Sequence, residues 1–304
     1  MSKNKNLNKA KKAKNDEFYT RFEDIQNEMV HYKEHFKGKT IYLNCDDPQS
    51  SNFWQYFAQK FDDFGLKKLV ATHYDAKEKT YKLEITRGID LNNDGKYNED
   101  DVVITPLEGN GDFRNDESIE ILKEADIVVT NPPFSLAGEF LEQIMEYKKD
   151  CIFIGDINMP TTKVFEKYIF KEKSLYFGIT KPKKFLQPNG EYKVFGKTCW
   201  FTTFNVNKMK NNLKLLNTNQ LENDLVYCEN FNGIFIDKVK NIPNDFDGLM
   251  AVPISILEKN YDNFEVLGFD KDFTKDKKRC IINGKQKYAR IIIKHKKEKK
   301  NENN

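Results

Sequence analysis

A chain of 304 residues with 38% hydrophobic and 13% aromatic side chains can bury the core of one large domain or two smaller ones. It has no apolar run near the ~18 residues of a membrane helix, and no apolar segment behind its basic start that would make a secretory signal. Its five cysteines are scattered, odd in number and without a C-x-x-C pair, which points away from a zinc site or disulfide framework and toward reduced thiols in the cytoplasm.

The net charge of +3 is unevenly placed: residues 1–14 carry +6, residues 291–304 carry +3, and the body between them −6. Such basic ends either attract a phosphate backbone or stay solvated and unfolded. After the first of them, Phe22, Ile25, Met29, Tyr32 and Phe36 recur at helical spacing, with Gly38 as the stop. "TIYLNCDDP" reads as a strand ending in an acidic turn. Phe53, Trp54, Phe57, Phe61 and Phe64 then share one helical face, closed by Gly65. "KKLVATHYD" and "YKLEITRG" are extended, "DESIEILKEA" is helical, "DIVVT" is a strand and "SLAGEFLEQIMEYKK" a helix. "CIFIGD" is a further strand, "TTKVFEKYIF" a helix, and "SLYFGIT" and "TCWFTTFNV" are extended. This alternation predicts an α/β fold with parallel βαβ units. Ligands bind such sheets at the carboxyl ends of the strands. Asn44 to Asp47, Asp75, Asn131 to Phe134 and Asp156 all fall there. Beyond Lys208 the segments shorten and the alternation stops.

Asn131-Pro132-Pro133-Phe134 follows a predicted parallel strand directly. Proline has no N–H and pushes the residue before it into an extended conformation. The turn therefore offers acceptors, the Asn131 carboxamide oxygen and the Pro132 carbonyl, beside the flat face of Phe134. That set suits a planar ring carrying an exocyclic amine. Both N–H groups can point at oxygens, which frees the nitrogen lone pair, while the ring stacks on the phenyl group. The bland alternative is a turn that only closes the strand.

Two other stretches carry candidate chemistry. "DLNNDGKYNEDD" has calcium-loop spacing at Asp90, Asn92, Asp94, Gly95 and Asp101, but a strand rather than a helix precedes it, and Asn-Asp-Gly favours a solvated hairpin. Lys181, Lys183, Lys184, Lys193 and Lys197 interleave with Phe185, Tyr192, Phe195 and Trp200, a pattern that suits a nucleic-acid groove or, more blandly, a surface hairpin. The four histidines lack metal-ligand spacing, and no metal site is expected.

An [NDS]-P-P-[FYW] turn after the fourth strand resembles the signature of S-adenosylmethionine-dependent amino-methyltransferases. With "NDEFYT", "LNCDDPQSSNFWQYF", "GNGDFRNDESIEILKEADIVVTNPPFS", "GKTCWFTTF" and "MAVPISILEK", the chain resembles the EcoRI-type adenine-specific DNA methyltransferases over roughly residues 15–295. The resemblance implies a Rossmann-like class I methyltransferase domain at 15–208, a DNA target-recognition region at 209–293, and basic tails at 1–14 and 294–304. It implies S-adenosylmethionine as cofactor, held by Phe18, Tyr19, Thr20, Asn44, Cys45, Asp46, Asp75, Asp112 and Phe113. Asn131, Pro132, Pro133 and Phe134 would be catalytic, acting on an adenine flipped out of double-stranded DNA. Lys183, Lys184, Lys193, Lys197 and Trp200 would contact the DNA, and a restriction endonuclease would act separately.

One departure stands out. Methyltransferases generally have a glycine-rich turn after the first strand, whereas "NCDDP" has no glycine. Asp46 and Asp47 also suit a helix start. Methyl transfer to RNA or to a protein glutamine on the same fold, and a DNA-binding module without catalysis, stay open as alternatives.

Overall fold

The computed structural model describes residues 19–45, 47–75, 79–186, 191–221 and 225–296. Phe18, Asp46, the tail at 1–14 and residues 297–304 of the tail expected at 294–304 lie outside the described residues, whereas Lys294 and His295 of that expected tail belong to a strand. The chain divides into two compact units: residues up to 156 with 178–204, and 157–177 with the residues from 205 onward.

In the first unit the strands are β1 (Tyr19–Thr20), β2 (Thr40–Leu43), β3 (Lys68–Thr72), β4 (Tyr81–Thr86), β5 (Val103–Pro106), β6 (Ile127–Thr130), β7 (Asp150–Asp156), β9 (Lys184–Leu186), β10 (Tyr192–Val194) and β11 (Thr198–Thr202). Seven of them lie side by side in the order β5-β4-β3-β2-β6-β7-β11. The centre, β3-β2-β6-β7, is parallel, and β4, β5 and β11 add antiparallel flanks. Strands covered on both faces read as unbroken apolar runs. Accordingly Ile127, Val128 and Val129 of β6 and Ile152, Phe153 and Ile154 of β7 are buried. The amphipathic helices pack on this sheet. Phe22–Met29 continues through a 3-10 turn into Lys33–Phe36, and Asn52–Gln59, Asp116–Glu124 and Ala137–Glu146 are the others. Among the described residues no helix is long and apolar enough to cross a membrane.

Glu28 ties the first helix to the segment that leads into β9. It has no exposed surface, and its carboxylate accepts from the Tyr32 hydroxyl (2.8 Å), Ile179 N–H (2.9 Å), and the Thr180 N–H and hydroxyl (both 2.6 Å). Burial, and then the Glu28 charge, push the Tyr32 phenol well above its usual range. Glu28→Ala strands four donors in the interior, each costing about 1–3 kcal/mol when left unsatisfied. We expect it to cost roughly 3–5 kcal/mol of stability, read from the denaturant midpoint, with Glu28→Gln losing less.

The second unit contains β8 (Tyr176–Phe177), β12 (Val226–Tyr227), β13 (Ile234–Phe235), β14 (Met250–Pro253), β15 (Phe264–Phe269), β16 (Ile281–Ile282), β17 (Lys285–Gln286) and β18 (Arg290–His295). Five of these form a sheet, β12-β13-β14-β18-β15, and β16 and β17 pair as a separate ribbon. Residues 157–177, which the sequence reading leaves in the first domain, belong here. Lys271 pairs with Glu166 at 2.9 Å and the Phe170 ring meets Phe269 edge-on at 5.1 Å, contacts no local pattern announces. The predicted "TTKVFEKYIF" helix is a short α-helix, Lys163–Glu166, that widens into a π-helical turn, Lys167–Lys171.

The cysteine expectation is corrected in part. Cys228 and Cys280, 52 residues apart, are joined by a disulfide with Cα atoms 5.8 Å apart. Sequence spacing alone gives no sign of such a pair. Cys45, Cys151 and Cys199 are not disulfide-bonded.

Candidate active site

The carboxyl ends of the parallel strands β2, β3 and β6 carry Asn44, Asp75 and Asn131 to Phe134. After β2, the Asn44 side chain is buried and its Nδ2 has no hydrogen-bond partner among the described residues, while its Oδ1 accepts from Cys45 Sγ at 3.3 Å. Asp47 does not cap the following helix. Ser51 does, accepting the Phe53 N–H at 3.1 Å. Asp47 instead accepts from Gln49 N–H (3.1 Å) and the Ser50 hydroxyl (3.2 Å). The element at β1 reaches the same place, because Asn52 Nδ2 donates to the Thr20 carbonyl at 2.7 Å. Thr20 is buried and its hydroxyl has no partner among the described residues.

At the end of β3, His73 gathers three segments. Its N–H donates to Tyr81 O (2.9 Å), its ring stacks on Tyr81 at 4.9 Å, and its Nδ1 lies 3.2 Å from Asp47 Oδ1. No aligned hydrogen bond joins those two atoms. The Tyr81 hydroxyl donates to the same carboxylate at 3.4 Å, and burial followed by the Asp47 charge pushes Tyr81 up to about 12. Gly111 sits directly over the His73 carbonyl at φ +72°, so close that any Cβ would overlap that oxygen. Asp75 N–H donates to Asn110 O at 3.1 Å, and the Thr80 hydroxyl donates to Gly109 O. The half-buried Asp75 and the loop carrying Asp112 are thus laced together.

Asp112 receives the Arg114 guanidinium bidentately, Nε to Oδ1 at 2.9 Å and Nη2 to Oδ2 at 2.7 Å. This bond holds the Asp112 carboxyl below its usual range despite partial burial. Arg114 also reaches Glu139 at 3.0 Å, on the helix that follows the Pro-Pro turn. Phe113 turns inward, 5% exposed, edge-on to Phe140 at 5.9 Å, which leaves little of its ring for a ligand. Its place is to seat the loop. Sequence reasoning missed His73, Gly111 and Arg114, whose roles depend on partners from other segments.

Asn131 to Phe134 leave β6 at this same edge. Asn131, Pro133 and Phe134 are half-buried and Pro132 is buried. The Pro133 carbonyl accepts Leu136 N–H at 2.8 Å, which leads the chain into Ala137–Glu146.

The lysine-rich stretch forms a hairpin. β9 pairs with β10 and, on its other side, with β1, so Tyr19 opposes Leu186 and Thr20 opposes Phe185. Lys183, Lys184, Lys193 and Lys197 are exposed, as are Tyr192 and Val194. Trp200 departs from the expectation. It is fully buried on β11, edge-on to Phe53 at 6.0 Å, because β11 is covered on both faces. A core side chain cannot face DNA, so Trp200 is a packing residue.

A parallel-centred sheet with an Asn-Pro-Pro-Phe turn leaving its central strand has the architecture of a class I methyltransferase. The profile of the family described as "Adenine-specific methyltransferase EcoRI" matches residues 6–296, and the chain belongs to this family. It is 40% identical to Type II methyltransferase M.EcoRI of Escherichia coli, over 96% of this chain and 97% of that protein. It is 35% identical to Type II methyltransferase M.MpnI of Mycoplasma pneumoniae, over 95% and 97%. To Type II methyltransferase M.MgeORF184P of Mycoplasma genitalium the identity is 33%, over 95% and 98%. No solved structure matches the chain.

Proposed function

We propose that this adenine-specific methyltransferase acts on N6 of an adenine flipped out of double-stranded DNA, at a specific sequence, with S-adenosylmethionine as methyl donor. In a restriction-modification pair, a separate endonuclease would cut sites left unmethylated. The observation that carries this reading is the Asn131–Phe134 turn at the sheet edge that also bears Asn44, Asp75 and Asp112.

The donor set fits the cofactor. Two buried polar atoms, Asn44 Nδ2 and the Thr20 hydroxyl, have no partner among the described residues, and a polar ligand would satisfy them. Asp75 would take the ribose hydroxyls and Asp112 a ring amine, with Tyr19 and Cys45 beside them; Phe18 and Asp46, expected to contribute, lie outside the described residues. When bound, S-adenosylmethionine supplies an electrophilic methyl group. Asn131 Oδ1 and the Pro132 carbonyl each accept one N6 hydrogen and hold the amine, while Phe134 stacks on the base. The N6 proton becomes acidic once the nitrogen is alkylated, so these neutral acceptors suffice without a strong base. Flipping the base costs a few kcal/mol of stacking and pairing. Lys183, Lys184, Lys193 and Lys197 would hold the phosphates while that happens.

The test is to offer labelled S-adenosylmethionine together with duplex DNA, RNA and protein acceptors. Label on DNA adenine N6 is the expected result. Label on RNA or on a protein glutamine would transfer the same chemistry to the alternative substrate.

A further inference from the structure

Residues 275–290 carry five lysines, two arginines and one aspartate, a net +6 against +4 for the hairpin at 181–197. Arg279 is committed to the buried Asp270 at 2.9 Å, and Arg290 lies over the Phe235 ring at 4.6 Å. Lys275, Lys277, Lys278 and Lys285 are exposed.

The β16–β17 ribbon rises from this stretch on a fixed base. Cys280, at its foot, is bonded to Cys228, and Lys287 N–H donates to the Cys280 carbonyl at 2.9 Å. The segment next to Cys228 grips one side. Glu229 N–H donates to Ile281 O (3.0 Å), Ile281 N–H to Asn230 Oδ1 (2.9 Å), and Gly284 N–H to Glu229 Oε1 (3.0 Å). The inner strand is apolar, and Ile282 packs with Phe231, Ala251 and Ile292. Asn283 and Gly284 turn the chain with φ of 51° and 67°, the two-residue turn that suits strand twist. The outer strand, Lys285–Gln286, is exposed, and Tyr288 beyond it is 88% exposed.

We infer that this ribbon reads base edges in the major groove of the DNA substrate, with Lys285 and Gln286 as the readers. The inference rests on the proposed action on DNA. The major groove of B-form DNA admits a two-stranded ribbon, whereas the A-form groove of duplex RNA is too narrow for side chains to read. Glutamine pairs with adenine at N6 and N7, and lysine reaches guanine O6 and N7. The neighbouring Lys275, Lys277 and Lys278 supply phosphate contacts that set the register without reading sequence.

The experiment uses the full chain and maps methylated positions on plasmid DNA by sequencing, for wild type and for Lys285→Ala, Gln286→Ala and Lys277→Ala. The two reader variants are expected to lose about tenfold in discrimination between the wild-type site and sites differing by one base pair. Lys277→Ala is expected to weaken binding to all sequences alike and to lower the salt slope by about one. Discrimination is a ratio within one reaction, so a smaller folded fraction does not imitate its loss. Unchanged site preference in both reader variants overturns the inference. A wild-type protein that methylates no DNA overturns the reading beneath it, and this inference falls with it.

Discussion

Asn131→Ala is expected to cut methyl transfer by at least about a hundredfold while cofactor affinity stays at the wild-type level. Removing one preorganised partner of a reacting group costs about 10²–10³ in rate. Here that partner is the Asn131 carboxamide oxygen, which accepts an N6 hydrogen, and alanine has no side-chain acceptor to take its place. Asn131 stands on the end of β6, a strand buried along its whole length, so its loss leaves the core intact. Single-turnover rates and calorimetric cofactor titration separate the two effects. A variant that keeps its rate rules out Asn131 as an N6 acceptor. Asn131→Asp keeps an acceptor and is expected to retain more activity than the alanine variant.

The second large effect is expected at Gly111. Its φ of +72° costs an alanine about 1–2 kcal/mol, and the added Cβ must also displace the His73 carbonyl. His73 cannot move alone, because its N–H is held by Tyr81 and its ring lies against Asp47 and Tyr81. Gly111→Ala should therefore destabilise the fold by roughly 3 kcal/mol or more and weaken cofactor binding with it. Gly138→Ala is the control. Gly138 lies in the helix Ala137–Glu146, and an added Cβ there would meet nothing within 4 Å, so alanine should be neutral or stabilising by up to about 1 kcal/mol. Thermal unfolding of the two variants side by side decides the matter. Equal melting points would show that the loop at 109–113 can yield.

The glycine-free turn at Asn44 to Pro48, the weakest point of the family resemblance, has a structural account. Asp47 closes the turn through Gln49 and Ser50 and meets His73 and Tyr81.

The sequence by itself determined the parallel centre of the sheet, the helices that cover it, and the Asn-Pro-Pro-Phe turn that leaves it. These follow from short-range causes: apolar periodicity, proline's missing N–H, and the burial of strands on both faces. It also placed Asn44 and Asp75 at strand ends, since strand order puts them there. Only the tertiary structure decided that Trp200 lies in the core, that Arg114 holds Asp112, that Gly111 must be glycine because of His73, and that residues 157–177 join the second unit. It alone paired Cys228 with Cys280 beneath the basic ribbon. Each of these depends on a contact between residues far apart in the chain, and a contact of that kind leaves no period, spacing or composition in the sequence around either partner.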